Sequence, residues 1–342
     1  MLDSIPARCQ RRRELKAVIY TRFGGPDVLR YEDVPDPVCG ADEVRIQVAS
    51  AGINRKDINQ RRGVYANHTS AFDRLGLEVA GIVAEVGSEV DGFSVGDEVI
   101  ALLDGGGYAE QVCVPAGQVT LAPHGIRLVD AASLPEAAAT VYFMLMRHAQ
   151  FEAGRTLLVH GGAGGISSFA IQVAHHAGMR VIATAGSPAK LAIAERLGAH
   201  TLIDYRQQDF VSVVDAVSSG RGADLIFDTV GGPYLSRNIE ALAIGGLIAV
   251  VGVQGGSQGS VDLRQLMSRQ GTITSSALKD QSVLQKKTIM KAVSDEIWPL
   301  VASGRVSPLL DPQRFELADI IDAHRYFESG SHVGKVLLTV SG

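Results

Sequence analysis

Cysteine is nearly missing from this chain: Cys9, Cys39 and Cys113 are the only three in 342 residues. An odd, widely spaced set excludes a disulfide framework and a cysteine-based metal cluster, and reads as free thiols in a reducing compartment. Apolar runs of membrane-spanning length are also missing, and so is the apolar core of a secretory signal near the N-terminus, so the sequence reads as cytoplasmic. Positive charge is not in excess either. A net charge of −5 and a pI near 6.0 exclude a general nucleic-acid binder. The one basic cluster, Arg11 to Arg13, is diluted by Asp3 and Glu14, and residues 1–14 read as a flexible leader.

What the chain does have is length for two domains and an ordinary apolar fraction of 46%. Its most informative stretch is RTLLVHGGAGGISSFAIQVAHHAGMRVIATAGS, from Arg155 to Ser187. Thr156 to His160 is a short apolar run of the kind that makes a buried parallel strand, and the glycines of 161–165 follow at once. Ile166, Phe169, Ala170, Val173, Ala174 and Ala177 recur at helical spacing, Gly178 stands where a C-terminal cap belongs, and Val181 to Thr184 make a second strand. Glycines at the first turn of a β-α-β unit let bare N–H groups at a helix N-terminus approach a pyrophosphate. The motif spacing falls on Gly162, Gly165 and Ser167. The serine could bond a phosphate oxygen, at the expense of crowding the helix against its strand.

From Leu15 to about Leu121 the pattern is alternating short strands: Lys16 to Tyr20, Val44 to Ala49, Gly81 to Val86 and Glu98 to Ala101 are the clearest. Asn54 to Arg62 reads as a short helix, and Pro135 to Ala149 as the helix leading into the second domain. Strands near Thr201 to Ile203, Asp224 to Phe227, Leu247 to Val251 and Thr272 to Ser275 then alternate with helices opening at Pro188 and Pro233, which implies a doubly wound parallel sheet. A helix around Leu317 to Phe327 and a strand from Lys335 to Val340 close the chain.

The runs AGINRKDINQRRGVY, LGLEVAGIVAEVG, GDEVIALLDGGGYAEQV, LPEAAATVYFML, ITSSALKDQS and AHRYFESGSHVGKVLL resemble the zinc-independent quinone oxidoreductases of the medium-chain dehydrogenase/reductase superfamily. The p53-inducible quinone oxidoreductase type is the nearest subgroup. The resemblance implies an α/β protein: a Rossmann doubly wound parallel sheet domain, residues 131–275, plus a GroES-like, mainly β barrel-like catalytic domain, residues 15–130 and 276–342. It also implies a homodimer paired through the edge strand near Thr272 to Ser276.

Zinc-dependent relatives carry a cysteine ligand where this chain has Asn54 and a histidine ligand where it has Leu77, so no metal is expected. The pair His175 and His176 reads as solvent-facing near a helix end. The resemblance places Asn54, Asp57 and Tyr65 in the substrate cleft, with Tyr65 contacting or protonating the acceptor, and Thr140 against the nicotinamide. Gly162, Ala163, Gly164, Gly165 and Ile166 would receive the pyrophosphate. Gly252, Val253, Ser276, Ala277 and Leu278 would supply backbone around the nicotinamide end, with Lys335 reaching toward the cofactor. Ser187, Lys190 and Tyr205 would gather around a 2′-phosphate, and no carboxylate ends the second strand, so NADPH is expected over NADH. Taken without the resemblance, Lys190 is an exposed helix lysine, Tyr205 a loop aromatic and Asp57 a structural carboxylate. His332 and the loop from Ala66 to Arg74 depart from the subgroup, and His68 in that loop reads as a solvated histidine.

The activity implied is direct hydride transfer from NADPH to a quinone, without metal or flavin. Two alternatives stand beside it: reduction of the C=C bond of an α,β-unsaturated carbonyl on the same scaffold, and a non-catalytic NADPH-binding sensor.

Overall fold

The structure is a computed structural model that describes residues 14–64 and 74–341. Most of the leader, Cys9, Tyr65 and His68 lie outside the described residues. Six parallel strands form one sheet, in the spatial order Thr201–Asp204, Arg180–Ala185, Thr156–Val159, Ala223–Asp228, Leu242–Val250 and Thr272–Ser275. The chain thus starts in the middle, winds outward on one side, then returns and winds outward on the other. Thr156–Val159 and Ala223–Asp228, buried along their whole length, are the two central strands. That is why they read as unbroken apolar runs rather than alternating ones.

The helix Gly165–His176 follows the first of these strands. Gly178 ends it in the left-handed region (φ +77°), and the Met179 N–H bonds the Ala174 carbonyl at 3.0 Å. His175 and His176 are exposed at that end. The next helix, Pro188–Arg196, opens with a proline and is capped by Ser187. Pro233 opens a single 3-10 turn, Gly232–Tyr234, that feeds the helix Leu235–Ala241.

The second sheet has seven strands and is built on the ten-residue strand Glu43–Gly52, which alternates half-buried and buried positions. Its order is Leu310–Glu316, Lys335–Thr339, Glu43–Gly52, Glu78–Val86, Glu98–Leu102 and Val119–Leu121, with Gln111–Pro115 pairing along the other stretch of Glu43–Gly52. Two register shifts against Glu78–Val86 bend the long strand so that Val44, Ile46 and Val48 enclose a core with Val79, Val83, Val99 and Leu338. This is the barrel-like lobe expected from the sequence. Leu310–Glu316, a parallel neighbour of the last strand, carries little alternation and was not legible in the sequence.

The helix expected from Pro135 to Ala149 is shorter and divided. It is α-helical over Pro135–Val141 and widens to π spacing over Tyr142–Met146 before ending. It lies where the lobes meet. Ala137, Ala138 and Leu145 share one apolar cluster with Leu157 and Phe169 of the nucleotide-type lobe, Ile100 and Leu102 of the β lobe, and Ile289, Val293 and Trp298 of the later helices. The two lobes therefore hold a common core.

Candidate active site

The glycine turn is shaped by close approach. Gly161 takes φ +72°, and a side chain at Gly162 would stand 3.1 Å from the β-carbons of both Ala183 and Ala194. Gly164 adopts extended backbone, and no side chain caps the helix that starts at Gly165. The first N–H groups of this twelve-residue helix, from Gly165 and Ile166 onward, are left for a ligand. Ser167 does not join them. It is buried and its hydroxyl donates to the His160 carbonyl at 2.9 Å, so the expected phosphate contact is replaced by a bond that ties the helix to its strand.

Beneath the turn, His160 is fully buried. Its Nε2 meets Asn238 Oδ1 at 2.9 Å and its Nδ1 meets Thr184 Oγ1 at 3.2 Å. Burial pushes the imidazole down to about 4, so it is a neutral strut joining the ends of three elements. Sequence reasoning missed this role because nothing local marks it.

Ser187 and Tyr205 flank the end of the strand Arg180–Ala185, where the Tyr205 N–H donates to the Ala185 carbonyl at 3.2 Å, and the Lys190 ammonium turns to the other lobe. Ser187 accepts the Lys190 N–H at 3.4 Å, and the Tyr205 hydroxyl lies over the bare backbone of Gly186, with the ring 44% exposed. Lys190 Nζ donates to the Gly330 carbonyl of the other lobe at 3.2 Å. Gly252, Val253, Ser276, Ala277 and Leu278 follow the carboxyl ends of the neighbouring strands Leu242–Val250 and Thr272–Ser275. Gly252 is pressed on Thr229, and Ser276 accepts from Gln281 at 3.0 Å. All these positions therefore border the carboxyl end of the parallel sheet, where a dinucleotide site belongs.

The returning chain docks directly on the glycine turn. Gly334 N–H donates to the Ala163 carbonyl at 2.8 Å, Gly164 and Gly334 form a parallel bridge, and the Lys335 stem crosses Gly165. Lys335 does not end in open solvent. Its ammonium bonds Asn54 Oδ1 at 2.7 Å and pairs with the fully buried Glu78 carboxylate. Glu78 also accepts from Asn54 Nδ2 at 2.9 Å and from the Glu136 N–H at 2.9 Å. A side chain at Gly52 would run into it.

Asp57 departs from expectation. It is fully buried, and its carboxylate accepts from the N–H groups of Asn54 (2.8 Å) and Gly76 (3.0 Å) and from the Tyr108 hydroxyl (2.9 Å). These bonds fasten the short helix Arg55–Arg61 to Gly76 and Tyr108, so Asp57 is a buried brace with no open face. Burial lifts its pKa to about 6 against the opposing pull of those three donors. Glu136, a half-buried side chain in the first turn of Pro135–Val141, is pushed up to about 7 by burial and by Glu78, with Lys335 and Lys56 opposing. Thr140 lies one helical turn further on and is 7% exposed. Glu78, Tyr108 and Glu136 were passed over at the sequence level. The quoted motifs contain them, but only the fold shows that they converge.

These residues do not fit a catalytic metal. Asn54 offers a neutral amide, Leu77 is aliphatic and buried, and the Lys335 ammonium already supplies the cation that Glu78 meets. Among the described residues no group of three or more His, Cys, Asp or Glu is arranged to hold a metal ion.

Comparison with known proteins agrees with this geometry. The family model described as alcohol dehydrogenase GroES-like domain matches residues 40–124, and the one described as zinc-binding dehydrogenase matches residues 165–294. The chain belongs to the medium-chain dehydrogenase/reductase superfamily and is an oxidoreductase of its quinone oxidoreductase family. A quinone oxidoreductase of Pseudomonas aeruginosa is 30% identical over 94% of this chain and 99% of its own. A 2-methylene-furan-3-one reductase of Solanum lycopersicum is 32% identical over 95% of this chain and 79% of its own. The solved quinone oxidoreductase of Escherichia coli complexed with NADPH has a TM-score of 0.84 at 26% identity, covering 95% of this chain and 99% of that one.

Proposed function

We propose that this protein is a cytoplasmic, NADPH-dependent quinone oxidoreductase that works by direct hydride transfer, without metal or flavin. The observation that carries the reading is the junction at Gly165. There the uncapped helix N-terminus suited to a dinucleotide abuts the polar frame of Asn54, Glu78 and Lys335. Gly162 to Ile166 would receive the pyrophosphate. Ser187, Lys190 and Tyr205 would receive the 2′-phosphate, since the strand Arg180–Ala185 ends without a carboxylate to repel it. Bound there, the reduced nicotinamide supplies a hydride from C4.

The protein's own part is placement and charge. Asn54, held on both sides by Lys335 and Glu78, and Tyr65 would orient the acceptor, while Thr140 would back the nicotinamide. Preorganised donors of this kind stabilise negative charge that grows on an acceptor oxygen. A second reading, reduction of the C=C bond of an α,β-unsaturated carbonyl, is favoured by the tomato relative, whose name denotes a reductase of that substrate class.

Steady-state oxidation of NADPH and NADH against 1,2-quinones, 1,4-quinones and a simple enone, in chelator, tests both readings. Turnover of quinones with NADPH well above NADH is expected. Turnover of the enone alone selects the second reading, and tight NADPH binding with no turnover of any acceptor points to a sensor. We also propose a homodimer paired through Thr272–Ser275. Among the described residues this strand is a sheet edge without a further partner, and Leu263 (66% exposed) and Met267 (75%) lie on the helix that leads into it. Light scattering that returns only monomer would refute the dimer.

A further inference from the structure

We infer that Glu136 is the acid of the cleft: its carboxylic acid gives the acceptor oxygen the proton it needs once hydride has arrived. The inference rests on the hydride-transfer reading above and names the group that completes it. Hydride brings two electrons to a quinone and leaves a hydroquinone monoanion. The Glu136 O–H bond then breaks, a new O–H bond forms on that oxygen, neutral hydroquinone departs, and the Glu136 carboxylate regains a proton from water.

The geometry singles out Glu136 within the cluster. Asp57, Glu78, Tyr108 and Lys335 are 0%, 0%, 1% and 4% exposed, and each is engaged by hydrogen bonds inside the frame. None of them has an open edge to offer a substrate. Glu136 is half-buried, and among the described residues its carboxylate makes no hydrogen bond, because only its backbone N–H is committed to Glu78. It shares a helix face with Thr140, four residues on, so an acceptor stacked beside a nicotinamide that Thr140 backs would meet both.

Charges face it from three directions: Glu78 from its strand, Lys335 from the last strand, and Lys56 with Asp57 from the short helix. Lys56 in turn faces Asp280, Lys279 and Lys286. Burial and Glu78 favour the protonated form, and the lysines favour the carboxylate. A group balanced in this way can both hold a proton and release it near neutral pH, which is the condition for efficient general-acid catalysis.

The test uses the full chain with NADPH and a 1,4-quinone, comparing the native protein with Glu136→Gln and Glu136→Asp between about pH 5 and 9. For the native protein kcat should fall as pH rises through about 7. Glu136→Gln should lower kcat by about 100-fold, the lower end of the usual general-acid range, and should lose that pH limb. Glu136→Asp should keep the limb at reduced rate, and NADPH affinity, read by fluorescence, should be unchanged in both.

A readout independent of turnover is the 13C titration of the Glu136 carboxyl in cofactor-free protein, assigned by its absence in Glu136→Gln. A midpoint near neutrality supports the inference, and a midpoint in the ordinary carboxylate range overturns it. It is equally overturned if Glu136→Gln keeps both the rate and the pH limb while the native protein is active. If the native protein reduces no acceptor at all, the hydride-transfer reading itself fails, and the inference falls with it.

Discussion

Replacing Lys335 by methionine isolates the charge at the centre of the cleft. Methionine retains an unbranched stem to lie over Gly165, so the packing against the glycine turn is kept while the ammonium is lost. What remains is a Glu78 carboxylate with 0% exposure, still accepting from Asn54 Nδ2 and the Glu136 N–H but with no cation beside it, and an Asn54 Oδ1 that has lost its donor. Removing one partner of a buried pair costs about 3–5 kcal/mol. Two donors still serve Glu78, which places the expected loss near the lower end, about 3 kcal/mol.

The assay is urea unfolding followed by near-UV and far-UV signals, with the first cooperative transition taken for comparison because two lobes need not unfold together. Glu78→Gln combined with Lys335→Met removes both charges. The glutamine introduced there keeps one acceptor oxygen and has an amide to offer Asn54 Oδ1, so the double variant should recover most of the loss. A Lys335→Met protein within about 0.5 kcal/mol of native, the range of an ordinary surface substitution, would refute the reasoning. So would a double variant whose losses simply add, since groups in direct contact should couple.

Asp57→Asn should destabilise by about 1–3 kcal/mol, because one of the three donors around the carboxylate must then face an amide N–H; urea unfolding reads it, and a neutral result would detach Asp57 from the frame. Ser167→Ala should cost about 0.5–1 kcal/mol and leave NADPH affinity unchanged, since Thr229 still donates to the His160 carbonyl and the serine does not face the phosphate site; a clear loss of affinity by calorimetry would contradict that placement. Lys190→Ala should weaken NADPH by about tenfold, roughly 1.4 kcal/mol, and leave NADH untouched; equal losses for both cofactors would remove Lys190 from the 2′-phosphate. Acid should destabilise the fold through His160. Its folded pKa of about 4 lies below its unfolded value, so its contribution is present above about 6.5 and is lost as pH falls through about 4, up to about 3 kcal/mol in all. Unfolding at a series of pH values should show this slope, and His160→Gln should flatten it.

The sequence alone determined the parallel sheet and the glycine turn, and its motifs, taken together, the family. The first two rest on neighbours along the chain: apolar runs bounded by glycine, and a helix period. The tertiary structure decided how the cleft is wired. Lys335 is 281 residues from Asn54 and 257 from Glu78, and no local pattern relates such positions. Ser167 and Asp57 show the converse. A motif can say that a small or acidic residue belongs at a position, but a hydroxyl or carboxylate bonds whichever partner the fold brings nearest. Here those partners were the His160 carbonyl and the Tyr108 hydroxyl. Period and turn chemistry are short-range and so are written in the sequence, whereas burial, which sets the charge of Glu136, Asp57 and His160, exists only once the lobes close on one another.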